Sequence, residues 1–379
     1  MSEYQFYEFQ AIDRPLAAED REVLRGISSR GKITATSFTN SYQWGDFRGD
    51  PTQLMQRCFD LHLYLANWGS RRLMIRLPAH IVDRQRLEAL VADVECAELI
   101  DAGDFLILDI ARDELDLDDW GDDSERLAAL APLRADIMSG DLRLFYLLWL
   151  TEVETDAFDE NEVEPMPGIG ALTGSLKAFA DFFGIDPDLV DAAAERPAEG
   201  MPAAIDADTA KQIIAALSDE EKTGMLLRLV DGDPHVGYEL RARIAERLAT
   251  SDGGRADVPR TVGELRLRAL AVGQEHELAA AARQVAERKR REEEAEAARQ
   301  VRLVSIRRRG EQVWKDVEAE IERRNAQGYG KAVELLGDLR ALAEQERSTD
   351  DFHLRVNHIR DRHAGKRAFI ARLTGLILP

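Results

Sequence analysis

Four stretches of this 379-residue chain bring together side chains that could do chemistry. DELDLDDWGDDSE (113–125) crowds carboxylates together, the donor type that a divalent cation takes. Counted as an EF-hand loop from Asp116, Gly121 falls at position 6, but Trp120 stands at 5 and Leu127 at 12, where oxygen ligands belong. The register fails, and the run reads as an acidic surface loop. PGIGALTGSLKAF (167–179) sets Gly168, Gly170 and Gly174 before a helix with Lys177 in its first turn. A Walker loop needs Gly-Lys-Ser/Thr in succession, and a Rossmann turn needs GxGxxG after a buried strand; neither pattern is met, so a structural turn and helix start is expected. Cys58 and His62 stand four apart in a segment with helical spacing, and there Cys58 falls on the core stripe, which favours packing over nucleophilic work. The fourth stretch, SFTNSYQWGDFRGDP (37–51), offers Phe38, Tyr42, Trp44, Asp46 and Arg48 as a binding surface. Its glycines and Asp-Pro pair are what the seam between a strand and a helix requires. No catalytic, cofactor-binding or metal-ligating residue is assigned from these patterns, and no cofactor is expected.

Charge narrows the partners. The formal net charge is −21, yet residues 261–379 carry 24 Lys/Arg against 20 Asp/Glu, while the first 260 carry 26 against 51. A strongly acidic body with a mildly basic arm repels nucleic acid and anionic membrane, so direct nucleic-acid binding is not expected. The longest apolar stretch, around LFYLLWL (144–150), is far short of the ~20 residues of a spanning helix. Two isolated cysteines and a start without a secretory pattern lead to the expectation of a cytoplasmic protein.

The elements that must position these residues divide into a head and an arm. YQFYEFQAID reads as a strand stopped at Arg14-Pro15, and LAAEDREVLRGISS as a helix. KITATSFTNSYQW alternates like a strand, with Phe38, Asn40, Tyr42 and Trp44 on one face. Asp50-Pro51 is an N-cap followed by proline at the first helical position, and TQLMQRCFDLHLYLANWG is predicted as one helix ending at Gly69, with Leu54, Cys58, Leu61 and Leu65 as its core stripe. RRLMIRLP is a strand, AHIVDRQRLEALVAD a helix, and CAELIDAGDFLILDIAR two strands joined by a turn at 101–104. The fold class is α+β: a sheet-and-helix head over 1–112, with helices expected on one face of the sheet. Acidic loops and a helical region follow over 113–250, where Ser218 and Glu221 have capping-box spacing, and SDGGRADVPRT (251–261) is an expected boundary. A long charged helix is predicted over 262–325, rich in Ala, Glu and Arg with many i,i+4 opposite charges. Its apolar positions do not sustain a heptad. Residues 326–379 close the chain as a C-terminal helical hairpin, its three histidines five apart and expected at the surface.

YEFQAIDRPL, SFTNSYQWGDF and EPMPGIGALTG resemble a set of uncharacterised bacterial proteins. The segment from Trp314 to Leu373 is similar to the helical tail that follows the zinc motif in bacterial SWIM-type zinc-finger proteins. That resemblance implies a tetratricopeptide-like tail used for protein contacts; the CxC and CxH ligands of the zinc motif are absent here.

The function expected is therefore a non-catalytic protein–protein interaction or scaffold subunit that reaches a partner through residues 262–379. Arg307, Arg308, Arg309, Trp314 and Tyr329 are the docking candidates, and homo-oligomer formation is left open. Two alternatives compete: a metal-dependent enzyme subunit of a bacterial multi-gene system, and an acidic mimic of nucleic acid.

Overall fold

The computed structural model describes residues 3–115, 125–155, 157–197, 207–251 and 258–377. Chain order is β1 (Gln5–Gln10), α1 (Ala18–Ile27), β2 (Lys32–Ile33), β3 (Ser37–Tyr42), α2 (Pro51–Arg57), β4 (Leu61–Ala66), β5 (Arg71–Pro78), α3 (Arg84–Val91), β6 (Ala97–Asp101) and β7 (Phe105–Arg112). The strands form one sheet in the order β2-β3-β1-β4-β5-β7-β6, every neighbouring pair antiparallel. The α+β class holds. Helices α4 (Arg126–Leu130), α5 (Pro132–Met138), α6 (Arg143–Glu154), α7 (Gly174–Phe182), α8 (Pro187–Ala194), α9 (Ala207–Ala216), α10 (Asp219–Val230) and α11 (Val236–Ser251) follow.

One expected element is replaced. The single helix predicted after Pro51 stops at Arg57, and the chain becomes strand β4. Asp50 caps α2 as expected, its Oδ1 accepting from the backbone of Thr52 at 2.9 Å and Gln53 at 3.2 Å. Cys58 then leaves helical geometry at φ −152°, and LHLYLA alternates with period two: Leu61, Leu63 and Leu65 face one side, His62 and Tyr64 the other. Gly69, expected to end a helix, instead turns β4 into β5 at φ +93°, where a Cβ would come within 2.6 Å of the Leu115 backbone. KITATSFTNSYQW likewise divides into β2 and β3.

The alternation decides what each face meets. Leu61, Leu63, Leu65, Leu73, Ile75, Leu77, Leu108 and Ile110 pack on helices α3 to α8 in one core. Removing each such leucine from water is worth ~1.5–3 kcal/mol. Contrary to the one-sided layer expected, helices also meet the other face. There Phe9, Phe38, Met74 and Ile107 form a smaller core with Leu24 of α1, Leu54 and Met55 of α2, and Phe59. That core takes one end of the face; the other end, around Tyr7, Tyr64 and Arg72, lines a cavity.

The segment TDAFDENEVEPMPG (155–168), one of the acidic loops expected within 113–250, is not all surface. Glu164 is 3% exposed and accepts from the Arg260 guanidinium at 3.0 Å and the Tyr146 hydroxyl at 2.6 Å. A carboxylate in the interior must be paired in this way. The carboxylate run over 116–123 and most of SDGGRADVPRT fall outside the described residues.

The chain forms two compact units, Met1–Glu275 and His276–Pro379. Helix α12 (Val262–Arg309) begins in the first and ends in the second. Residues 274–302 are exposed throughout and laced with i,i+4 pairs such as Arg288–Glu292 and Glu287–Arg291. The long helix does not continue to 325. Gly310 adopts φ +50° and ψ −126°, a conformation close to glycine-only, and α13 (Glu311–Glu322) starts immediately after it. α13 forms a hairpin with α14 (Ala326–Glu346), closed by α15 (Thr349–Arg362) and α16 (Arg367–Ile377). Val313, Val317, Ile321, Leu336, Phe352, Val356 and Phe369 are its core. His363, expected at the surface, is 5% exposed, with Nε2 2.8 Å from Glu318 Oε2.

Candidate functional site

In the first unit, a cavity of ≈ 610 Å³ opens on the sheet face next to the smaller core. Strand register builds its floor. Tyr7, Tyr64, Arg72 and Ala111 lie opposite one another across β1, β4, β5 and β7, and the adjacent row is Phe9, His62, Met74, Asp109 and Glu98. Residues directly paired in an antiparallel sheet share a face, so polar side chains from separate strands converge. Phe47, from the loop that leads into α2, forms one wall, and Ser70 and Asp113 stand on the cavity lining with Glu95 and Glu98.

Aromatic rings dominate one end. Tyr7 lies 4.7 Å from Tyr64 and 4.8 Å from Phe47, centroid to centroid, and meets Tyr42 edge-on at 5.9 Å. The hydroxyls of Tyr7 and Tyr64 both donate to Gln5 Oε1, at 2.8 and 3.3 Å. Burial, reinforced by Tyr64 and the Asp46 carboxylate, pushes the Tyr7 hydroxyl well above the usual phenol range, so it is a fixed donor at neutral pH.

Ionic groups occupy the other end. Arg72 makes a bidentate pair with Asp109, Nε to Oδ1 at 2.8 Å and Nη2 to Oδ2 at 2.5 Å. The aspartate side chain is 4% exposed and the arginine 29%. His62 is fully buried between the rings of Phe9, at 3.9 Å, and Tyr7, at 6.2 Å. Its Nδ1 lies 2.9 Å from the Glu8 carbonyl oxygen, which can only accept, so Nδ1 carries the hydrogen and Nε2 presents a lone pair. Nε2 is buried and makes no hydrogen bond among the described residues. Burial, with Arg72 adding to it, lowers the imidazole pKa to about 3; it stays neutral. The thiols are held protonated: burial pushes Cys58 up to about 11 and also raises Cys96.

Of the residues expected to form a binding surface, the structure disperses most. Phe38 is fully buried in the smaller core and Trp44 is 76% exposed. Tyr42 is half-buried beside the tyrosine cluster, its hydroxyl accepting from Asn40 Nδ2 at 2.6 Å. Asp46, exposed, accepts from Gln5 Nε2 at 3.3 Å, and Arg48 is exposed. Cys58 is the C-cap that ends α2 and His62 lies on β4, so the two do not share one helix. In the second unit Tyr329 is buried against Phe369 at 5.9 Å, and Arg355 lies 5.4 Å over the half-buried Trp314 ring. Arg307 pairs with Glu346 at 2.6 Å and Arg309 with Asp316, while Arg308 is exposed. Much of the basic cluster is thus neutralised within its own unit.

Sequence reading singled out His62 only as a helical neighbour of Cys58, and missed Arg72, Asp109 and Glu98. The signal for His62, Arg72 and Asp109 is polarity at alternate positions of otherwise apolar strands, LHLYLA, RRLMIRLP and FLILDIAR; Glu98 lies on β6. Among the described residues, no group of three or more His, Cys, Asp and Glu side chains could hold a metal ion. No helix of the described residues is long and apolar enough to cross a membrane. No family model, curated protein or solved structure matches the chain.

Proposed function

We propose that this chain is a non-catalytic protein–protein interaction subunit that docks a partner through exposed helical surface. The observation that carries this reading is one face of α10. Leu226, Leu227, Leu229 and Val230 are 62%, 60%, 58% and 82% exposed on a helix of 12 residues. Scattered exposed leucines are ordinary, but four adjacent large apolar side chains on one helix are the composition of a docking face. The arm extends the reading: Leu278 and Val285 are 73% and 68% exposed on α12, seven residues apart and so on one side of the helix.

The test uses the full chain as bait, in low and high salt, beside Leu226→Glu/Val230→Glu and Leu278→Glu/Val285→Glu variants. A stoichiometric partner that persists in high salt and is lost with either pair of substitutions is expected, because apolar docking is little screened. Light scattering distinguishes a second copy of the chain from a different protein. Capture that collapses in high salt and ignores both pairs would overturn the reading in favour of acidic mimicry.

A further inference from the structure

We infer that the sheet-face cavity of the first unit binds an organic cation carrying N–H donors, an alkylammonium or guanidinium group. The inference is independent of α10 and of the arm and rests on three observations. The first is charge. Arg72 is already matched by Asp109, and Arg71 is 3% exposed with Nη1 donating to the Ala66 and Ser70 carbonyls, both at 3.0 Å. Glu95, Glu98 and Asp113 remain on the lining, exposed and with no basic side chain in ion-pair contact among the described residues. An anion would meet these carboxylates, whereas a cation is drawn in.

The second is the aromatic wall. The rings of Tyr7, Tyr64 and Phe47 contact one another and line the cavity. Ring faces attract cations, most strongly where water is excluded. The third is His62. Its Nε2 is a buried acceptor without a donor, and leaving such a group unmatched is costly. His62 stands on the cavity lining, and a guanidinium or protonated amine that reaches Nε2 supplies the missing N–H, which a quaternary ammonium cannot. The size agrees, since ≈ 610 Å³ falls within the ~300–1,000 Å³ range of small-molecule pockets.

Two sources share this chemistry: a free amine, or a basic side chain of a polypeptide. Calorimetric titration of the full chain with agmatine, which has both cationic groups, is expected to show one saturable site. Tetramethylammonium, a cation without N–H, should bind roughly tenfold more weakly. Glu98→Gln, on an exposed side chain, should weaken agmatine roughly fivefold, and His62→Phe roughly tenfold. Should His62→Phe lose its fold by circular dichroism, Glu98→Gln and the tetramethylammonium comparison decide alone. An arginine peptide that binds more tightly than agmatine assigns the cation to a polypeptide; the reverse assigns it to a free amine, and both uphold the site. No saturable site, equal affinity for tetramethylammonium, or indifference to Glu98→Gln would overturn it.

Discussion

Arg72 and Arg76 stand four residues apart on β5, on the same side of the sheet, and each meets an aspartate. Their surroundings give them different work. Arg76 is 2% exposed and Asp60 fully buried. Arg76 donates to Asp60 at 2.7 Å and to the Met55 carbonyl at 3.1 Å, and lies 4.4 Å over the Phe105 ring. Asp60 in turn accepts from the backbone of Ile12 at 2.6 Å and Asp13 at 2.9 Å. Asp13 holds Arg134 of α5 at 2.6 Å and His235 at 3.0 Å; burial would raise this carboxyl, but those two partners hold it well below the usual range. That end of the face is a closed ionic lock joining strands to helices. At Arg72 the same pairing faces a cavity, and buried polar capacity is left over. The Arg76–Asp60 pair becomes structure because its own donors and acceptors are enclosed and matched, whereas the Arg72–Asp109 pair stays open on one side.

The comparison can be broken by substitution. Arg76→Met leaves the buried Asp60 carboxylate with only the more distant Arg134, at 3.6 Å, and should cost ~3 kcal/mol, read as a fall in the denaturation midpoint of the full chain. A smaller effect separates two neighbours by pH. The His62 pKa falls from 6.5 unfolded to about 3 folded, so the unfolded chain takes up a proton that the folded one refuses, and stability is lost as pH drops below 6.5. Burial raises Glu8 from 4.5 to about 7, so the folded chain binds the extra proton between those values, and stability is gained as pH drops through 7. The two slopes oppose each other. Glu8→Gln should therefore uncover a loss approaching ~1.4 kcal/mol per pH unit below 6.5, and His62→Phe a gain per unit from 7 towards 4.5 that is smaller, because solvent screens the part-exposed Glu8. Parallel profiles in the two variants would contradict the assignment.

Arg72→Met sharpens the contrast. Asp109 is left buried without its arginine, but on a cavity that water can enter, so the cost should be smaller than at Arg76, ~1–3 kcal/mol in stability. The same change frees Asp109 for a ligand, so agmatine should bind more tightly than to the natural chain. The smallest effect belongs to the arm, where Arg288→Ala removes a solvated i,i+4 pair and should change stability by under ~0.5 kcal/mol.

Local chemistry made much of the fold legible. The Asp50 cap, the Ser218–Glu221 box and the β6–β7 turn follow from side chains adjacent in sequence, and all three form as read. The β4 error has a physical origin. Leu54, Cys58, Leu61 and Leu65 mimic a helical stripe, while Leu61, Leu63 and Leu65 also satisfy a strand; the sheet partners β1 and β5 settle the choice, and a local window does not contain them. The site was hidden for the same reason. His62, Arg72 and Asp109 come together only through the register of β4, β5 and β7. Phe38 was visible as part of an aromatic face, but which rings of that face would be enclosed depends on where α1 and α2 pack.

The most direct test of the contrast between the locked and the open end of the face is hydrogen–deuterium exchange of the full chain with and without agmatine. Protection confined to segments containing residues 62–72 and 109–113, with α12 unchanged, is the predicted result. Protection spread along the acidic surface, or none in those segments, would contradict the account.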